Sequence, residues 1–245
     1  MPRDQIKIFS FDIFDTTVTR YVANPKDIFL IMQKKLQECG TDFPDKLLQH
    51  FASLRVKAEF NARLKAYTQK DTEISIGNIY ENIRKKFQLD QRQVTQLIEI
   101  ECDLEYQSIY PIAWTLTEIN SLRKENKRII FTSDMYLPLE LIKKILLKVG
   151  AYHENQDRVY LSSSIGHKKF DGALFRYILD QEKCKPEEIC HFGDDIQSDI
   201  FVPHKLGIGI YNLTQDQIRH SLRYYHFKKI KKYFRYIQNV NLSRP

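Results

Sequence analysis

Between Ile6 and Thr17 the chain reads Ile-Lys-Ile-Phe-Ser-Phe-Asp-Ile-Phe-Asp-Thr-Thr. Ile6, Ile8, Phe9, Phe11, Ile13 and Phe14 are too continuously apolar for a half-wet edge strand and predict a strand buried on both faces of a parallel sheet. The spacing then turns helical. Asn24-Pro25 predicts a cap and first helical residue, and Ile28, Phe29, Ile31, Met32 and Leu36 form a stripe ending at Gly40. Leu47, Leu48, Phe51, Leu54 and Val56 predict a second helix over 45–66. A break at 72–77 precedes a third helix marked by Ile79, Tyr80, Ile83 and Phe87. Leu97, Ile98, Ile100 and Leu104 mark a fourth, ending before Pro111. No strand is predicted within 20–105.

From Trp114 the pattern alternates. Helices are predicted over 114–123, 139–149, 170–179 and 196–206, and strands over 128–133, 158–161, 188–192 and 207–211. Such alternation predicts βαβ units, hence a Rossmann-like parallel sheet with helices on both faces. The expected organisation is an α/β core over 1–19 and 106–215, an all-helical insert over 20–105, and a separate tail over 216–245.

Composition changes this picture little. A chain of 245 residues with 42% hydrophobic and 28% charged residues suits a globular domain with a full core. No run is long enough to span a bilayer and no apolar leader opens the sequence, so a cytoplasmic location is expected. Cys39, Cys102, Cys184 and Cys190 are scattered without a CxxC pair, which fits free thiols better than a disulfide or zinc framework. The formal charge of +7 is weighted to the tail, where Arg219, Arg223, Lys228, Lys229, Lys231, Lys232 and Arg235 alternate with Tyr224, Tyr225, Phe227, Tyr233, Phe234 and Tyr236. This pattern predicts an amphipathic helix for a protein partner or an anionic membrane surface. Nucleic acid is disfavoured, because no recognised motif accompanies the charge.

Candidate chemistry gathers where the predicted strands end. Ligands of open parallel sheets bind outside the carboxyl ends of the strands. One end carries Asp12, Asp15, Thr16 and Thr17, a second Thr132, Ser133 and Asp134, a third Gly193, Asp194 and Asp195, with Asp199 a turn further on. His167-Lys168-Lys169 lies between the last two. A carboxylate can attack a phosphoryl group. A divalent cation held by carboxylates, with a lysine, offsets the charge, and a hydroxyl binds a phosphoryl oxygen. Acids beside a lysine suit Mg²⁺ better than zinc. Asp134 is expected to cap the helix that follows, and His191 to be a satisfied core histidine.

Four segments in this order resemble the haloacid dehalogenase (HAD) superfamily. Its Asp-x-Asp-x-Thr motif aligns with Asp12, Phe14 and Thr16. Its strand-closing hydroxyl aligns with Ser133 or Thr132, its lysine with Lys169, six residues before Phe175, and its Gly-Asp-x-x-x-x-Asp with Gly193, Asp194 and Asp199. The helical insert is similar by position to the superfamily's cap. Residues 11–16 and 133–138 look most like a bacterial subgroup of hydrolases found near, or fused to, surface-polysaccharide enzymes. The resemblance implies a Mg²⁺-dependent phosphohydrolase. Its implied roles are Asp12 as nucleophile and metal ligand, the Phe14 carbonyl with Asp194, Asp195 or Asp199 as further ligands, and Thr16, Thr132 or Ser133, and Lys169 on the phosphoryl group.

One departure matters. Phe14 stands where the superfamily's phosphatases place an acid/base aspartate. Asp15 follows, and in an extended strand it would point to the opposite face. Three alternatives result: Asp15 swings in, the leaving group needs no acid, or the site binds phosphate with little turnover. Losing a general acid costs roughly 10²–10⁴-fold in rate. The expected substrate is a small phosphorylated metabolite, a sugar or polyol phosphate by analogy with the subgroup. The rival is a catalytically weak binding or scaffold module, and a 2-haloacid dehalogenase ranks below both.

Overall fold

β1 (Ile8–Asp12) is the central strand of a five-stranded parallel sheet, and every residue in it is buried. The computed structural model describes residues 3–39, 42–69 and 73–212; the basic aromatic tail lies outside the described residues. After β1 the chain makes a short strand, β2 (Val18–Arg20), and then four helices: α1 (Asp27–Glu38), α2 (Asp45–Thr68), α3 (Ile76–Phe87) and α4 (Gln91–Ser108). β3 (Ile109–Pro111) returns antiparallel to β2, with Val18 opposite Pro111 and Arg20 opposite Ile109. The two crossings between sheet and helical insert therefore lie side by side. Neither strand was expected from the sequence, since three residues are too few to show an alternation.

The alternating half follows as α5 (Ala113–Lys124), β4 (Arg128–Ser133), α6 (Leu139–Lys148), β5 (Arg158–Leu161), α7 (Ser162–Ile165), α8 (Ala173–Glu182) and β6 (Ile189–Gly193). A π-helical turn (Ile196–Phe201) then runs into α9 (Val202–Lys205) before β7 (Gly209–Asn212). The sheet order is β5-β4-β1-β6-β7, all parallel, as the expected fold class requires. Ile8, Ile130, Ile189 and Ile208 on one face pack with Leu174, Phe175 and Ile178 of α8. Phe9, Phe11, Phe131 and Phe192 on the other belong to an apolar cluster that continues through Ile119 and Leu122 of α5 into the helical insert.

Three helix starts differ from expectation. Asn24-Pro25 does not open α1: the N-cap is Lys26, and the Asn24 side chain instead accepts a hydrogen bond from the Lys26 amide. α8 starts at Ala173 rather than at residue 170, because Gly172 holds a left-handed conformation with φ of 79° that breaks the helical run. Pro138, not Asp134, stands at the N-cap of α6.

Candidate active site

β1 ends at Asp12 in a tight turn. The amides of Thr17 and Val18 donate to the Ile13 carbonyl, the Thr17 hydroxyl donates to the Asp12 carbonyl, and Asp15 takes φ of 63°. That left-handed residue, an uncommon role to which Asp is well suited, ends the strand alternation. Asp12, Phe14 and Asp15 consequently line the same cavity of about 370 Å³ between sheet and helical insert. The Asp15 carboxylate accepts a hydrogen bond from the Thr19 hydroxyl.

Lys169 is the hub. It is buried, and its Nζ donates to Asp12 at 2.5 Å and to Asp199 at 2.6 Å. Lys168 is only half-buried, and neither of these carboxylates bonds it. Asp199 also binds the His191 ring at 3.1 Å and accepts from the Asp195 amide. The other ring nitrogen of His191 meets the Ser10 hydroxyl at 2.9 Å, so this core histidine is satisfied, as expected, while steadying the site. Gly193 is required by contact: a Cβ there would stand 2.3 Å from the Asp199 side chain.

The remaining expected residues divide. Asp194 lines the cavity and accepts a long bond from Thr16, which is itself buried. Asp195 lines the cavity too, but one carboxylate oxygen receives the amides of Gln197 and Ser198 and the Ser198 hydroxyl, capping the π-helical turn. Ser133 lines the cavity, whereas Thr132 is buried outside its lining with no partner for its hydroxyl among the described residues. Of the two candidate hydroxyls, Ser133 is therefore the one placed to meet a ligand.

The fold recurs in solved structures. A 2-haloacid dehalogenase from Pseudomonas syringae pv. Tomato DC3000 aligns with a TM-score of 0.56 and 15% identity over 86% of this chain and 88% of that one. A HAD family enzyme from Bacteroides thetaiotaomicron, an aspartate-to-alanine mutant complexed with magnesium and inorganic phosphate, aligns at 0.55 and 15% over 84% and 93%. A predicted phosphoglycolate phosphatase from Haemophilus somnus 129pt aligns at 0.53 and 16% over 86% of each chain. No family model and no curated protein matches the sequence. The chain has the haloacid dehalogenase fold.

Within this HAD fold the electrostatics favour a cation. Oxygens of Asp12, Asp194 and Asp199 lie within 4.8 Å of one another. Burial pushes the Asp12 carboxyl well above the usual range, with Asp199 and Asp194 adding repulsion that Lys169 only partly offsets. Burial beside Asp199 lifts Asp194 to about 6. Asp199 goes the other way: burial opposes its charge, but Lys169 and His191 hold it below the usual carboxylate range. Burial would lower the Lys169 ammonium, yet Asp12 and Asp199 outweigh it and hold it high. Asp12 and Asp194 thus carry charge that a hard divalent ion would relieve, and an all-oxygen donor set suits Mg²⁺. Asp199 spends both oxygens on Lys169, His191 and the Asp195 amide, so it braces this pair of acids.

Two pairings escaped the sequence, although Arg20 itself stood out as a residue of the crossing that could touch substrate or serve as a hinge. Asp134 does not cap α6; its carboxylate receives the Lys169 amide at 2.8 and 3.1 Å and the Phe170 amide at 3.3 Å, clamping the lysine loop to the end of β4. Arg20 of β2 makes a buried bidentate pair with Glu105 of α4 and stacks 4.3 Å over the Phe14 ring. Both members line the cavity. The available signal was Glu101 and Glu105, one helical turn apart among the buried apolar positions of α4.

Proposed function

We propose that the protein is a Mg²⁺-dependent phosphohydrolase that passes through an aspartyl-phosphate on Asp12. The observation that carries this reading is the placement of Lys169 between Asp12 and Asp199 in a cavity shared with Ser133, Asp194 and Asp15. Asp12, Asp194 and the Phe14 carbonyl would hold Mg²⁺, with Asp199, and Asp195 beside it, supporting the set. When bound, the ion offsets the repulsion between a carboxylate and a phosphoryl group.

An Asp12 oxygen attacks phosphorus, and the bond to the leaving oxygen breaks with its electron pair going to that oxygen. Asp15, turned into the cavity by its left-handed backbone, donates the proton the leaving oxygen needs. It then takes one from the water that releases phosphate. Lys169 and the Ser133 hydroxyl hold phosphoryl oxygens, and Thr16 orients Asp194. The substrate is a small phosphorylated metabolite, a sugar or polyol phosphate of surface-polysaccharide synthesis by analogy with the resembling subgroup.

The test is phosphate release from a panel of phosphorylated metabolites with Mg²⁺ or EDTA. Turnover should require Mg²⁺ and vanish in Asp12→Asn. Phe14 at the usual acid position favours a second reading, a phosphate-binding module of low turnover; Mg²⁺ and phosphate binding without hydrolysis across the panel would favour that reading. Halide release from a 2-haloacid without Mg²⁺ would replace both with dehalogenation.

A further inference from the structure

On the α8 face of the sheet, a chain of buried polar groups runs up to the cavity. Ser10 lies two residues before Asp12 on β1 and so falls on the same face of the strand. His191 of β6 is its register partner, and Phe175 of α8 meets the imidazole edge-to-face at 5.0 Å. Ser10 and His191 are both buried in a layer otherwise made of Ile8, Ile130 and Ile189. Two apolar side chains of similar shape would fill these positions at little or no cost in stability. Packing therefore does not account for the pair. Their hydrogens do. Asp199 is held ionised and can only accept, so His191 Nε2 carries the hydrogen that meets it at 3.1 Å. Burial disfavours the imidazolium, which leaves Nδ1 bare to accept from the Ser10 hydroxyl at 2.9 Å.

We infer that His191, with its tautomer set by Ser10, is a positioning residue for Lys169: it holds the Asp199 oxygen that Lys169 also binds, and so fixes the direction of the last Lys169 N–H. The Asp199 Oδ1 atom is shared, taking His191 Nε2 at 3.1 Å and Lys169 Nζ at 2.6 Å, while Oδ2 takes the Asp195 amide. An ammonium has three hydrogens. Asp199 and Asp12 take two, leaving one for the cavity that Lys169 lines. Because the ammonium is tetrahedral, placing the first two oxygens places the third hydrogen. Without the His191 donor, Oδ1 turns to Lys169 alone and draws the ammonium towards Asp199 and away from Asp12. The use of that third hydrogen on a phosphoryl oxygen rests on the proposed function; the hold on Lys169 does not.

The test compares His191→Leu with His191→Gln in the full chain, since the glutamine amide keeps an N–H near the Nε2 position. The first readout is the NMR resonance of the Lys169 ammonium, which needs no substrate. It should move in His191→Leu and return towards its wild-type position in His191→Gln. The second is turnover of whichever phosphate ester the panel identifies. There kcat should fall roughly 10–100-fold in His191→Leu with KM changing less, and His191→Gln should recover most of the loss. A residue that only packs would give no such rescue, and its folded variants would keep the wild-type rate. Should His191→Leu not fold, Ser10→Ala leaves the ring in place and should displace the same resonance by a smaller amount. A Lys169 resonance unmoved in folded His191→Leu would overturn the inference. So would a wild-type ring protonated at Nδ1 and bare at Nε2, which could not donate to Asp199. Because the resonance is read without turnover, it decides the matter even if no phosphate ester is hydrolysed, a result that would count against the proposed function alone.

Discussion

At the residue scale, the site is a contest between like charges. Asp194, lifted to about 6, binds its proton more tightly in the folded chain than in the unfolded one. Its contribution to stability is therefore present at low pH and lost as pH rises from about 4 through about 6. A cation replaces that proton, so Mg²⁺ should raise the melting temperature more at pH 7 than at pH 5; equal shifts at both values would count against Asp194 as a ligand. Asp134 also lines the cavity, but its carboxylate is taken up by the Lys169 and Phe170 amides. Asp134→Ala should lower kcat through misplacement of Lys169 while leaving Mg²⁺ affinity within about twofold, and Asp134→Asn, which keeps one acceptor oxygen, should recover part of the rate. Asp15→Asn, compared on an alkyl phosphate and on an acyl phosphate, separates proton donation from positioning. The alkyl ester should lose roughly 10²–10⁴-fold and the acyl phosphate far less.

At the element scale, the helical insert is fastened by charge as well as by apolar area. Arg55 of α2 is fully buried: it donates to both oxygens of Glu101 at 2.7 Å, and its guanidinium lies 4.5 Å from the Phe29 ring and 4.9 Å from that of Tyr136. Tyr80 adds a 2.6 Å bond to the same carboxylate. Glu101→Gln leaves that guanidinium without its main counter-charge and should cost about 3 kcal/mol in urea denaturation, less than the upper range for such pairs because Glu59 stands 3.2 Å away. Tyr136 belongs to the segment after β4 and its carbonyl also accepts from the Ile76 amide, so the loop that follows Ser133 and carries Asp134 is tied to α2 and α3. The strands β1, β4, β5 and β6 were legible because short apolar runs bounded by polar strand ends leave few alternatives, and the expected bounds of β4 and β5 coincide with those observed. What stayed hidden was tertiary. Nothing local distinguishes an Asp that caps a helix from one that reaches a loop 35 residues away, as Asp134 does. The π-helical turn at Ile196–Phe201 likewise reads as ordinary helix until Asp199 must meet Lys169. Among the site residues, Asp12, Ser133, Lys169 and Asp194 stood out because each follows or faces a strand end. Glu105 was invisible because it approaches from α4.

At the scale of the whole molecule, the cavity belongs to neither half alone: Asp12, Ser133 and Lys169 come from the sheet side, and Phe29, Glu59 and Arg63 from the helices. Arg20 of β2 and Glu105 of α4 join the two halves where they meet, so Glu105→Gln should raise KM more than it lowers kcat on a substrate that touches the helices. A fall in kcat with KM unchanged would place the pair in the chemical step instead. The antiparallel pairing of β2 and β3 has a further consequence. Arg20 and Ile109 are register partners, so the 88 residues between them depart from and rejoin the sheet at neighbouring points, like a clause set between two commas. Such an insertion can lengthen, shrink or be replaced without re-threading any strand. A two-residue turn could close the gap, provided Arg20 is made apolar when Glu105 leaves. On the proposed function, the reacting groups and the selecting groups are therefore separable units of inheritance: a lineage could keep Asp12, Lys169 and Asp194 fixed and acquire a new substrate by exchanging one contiguous stretch of gene.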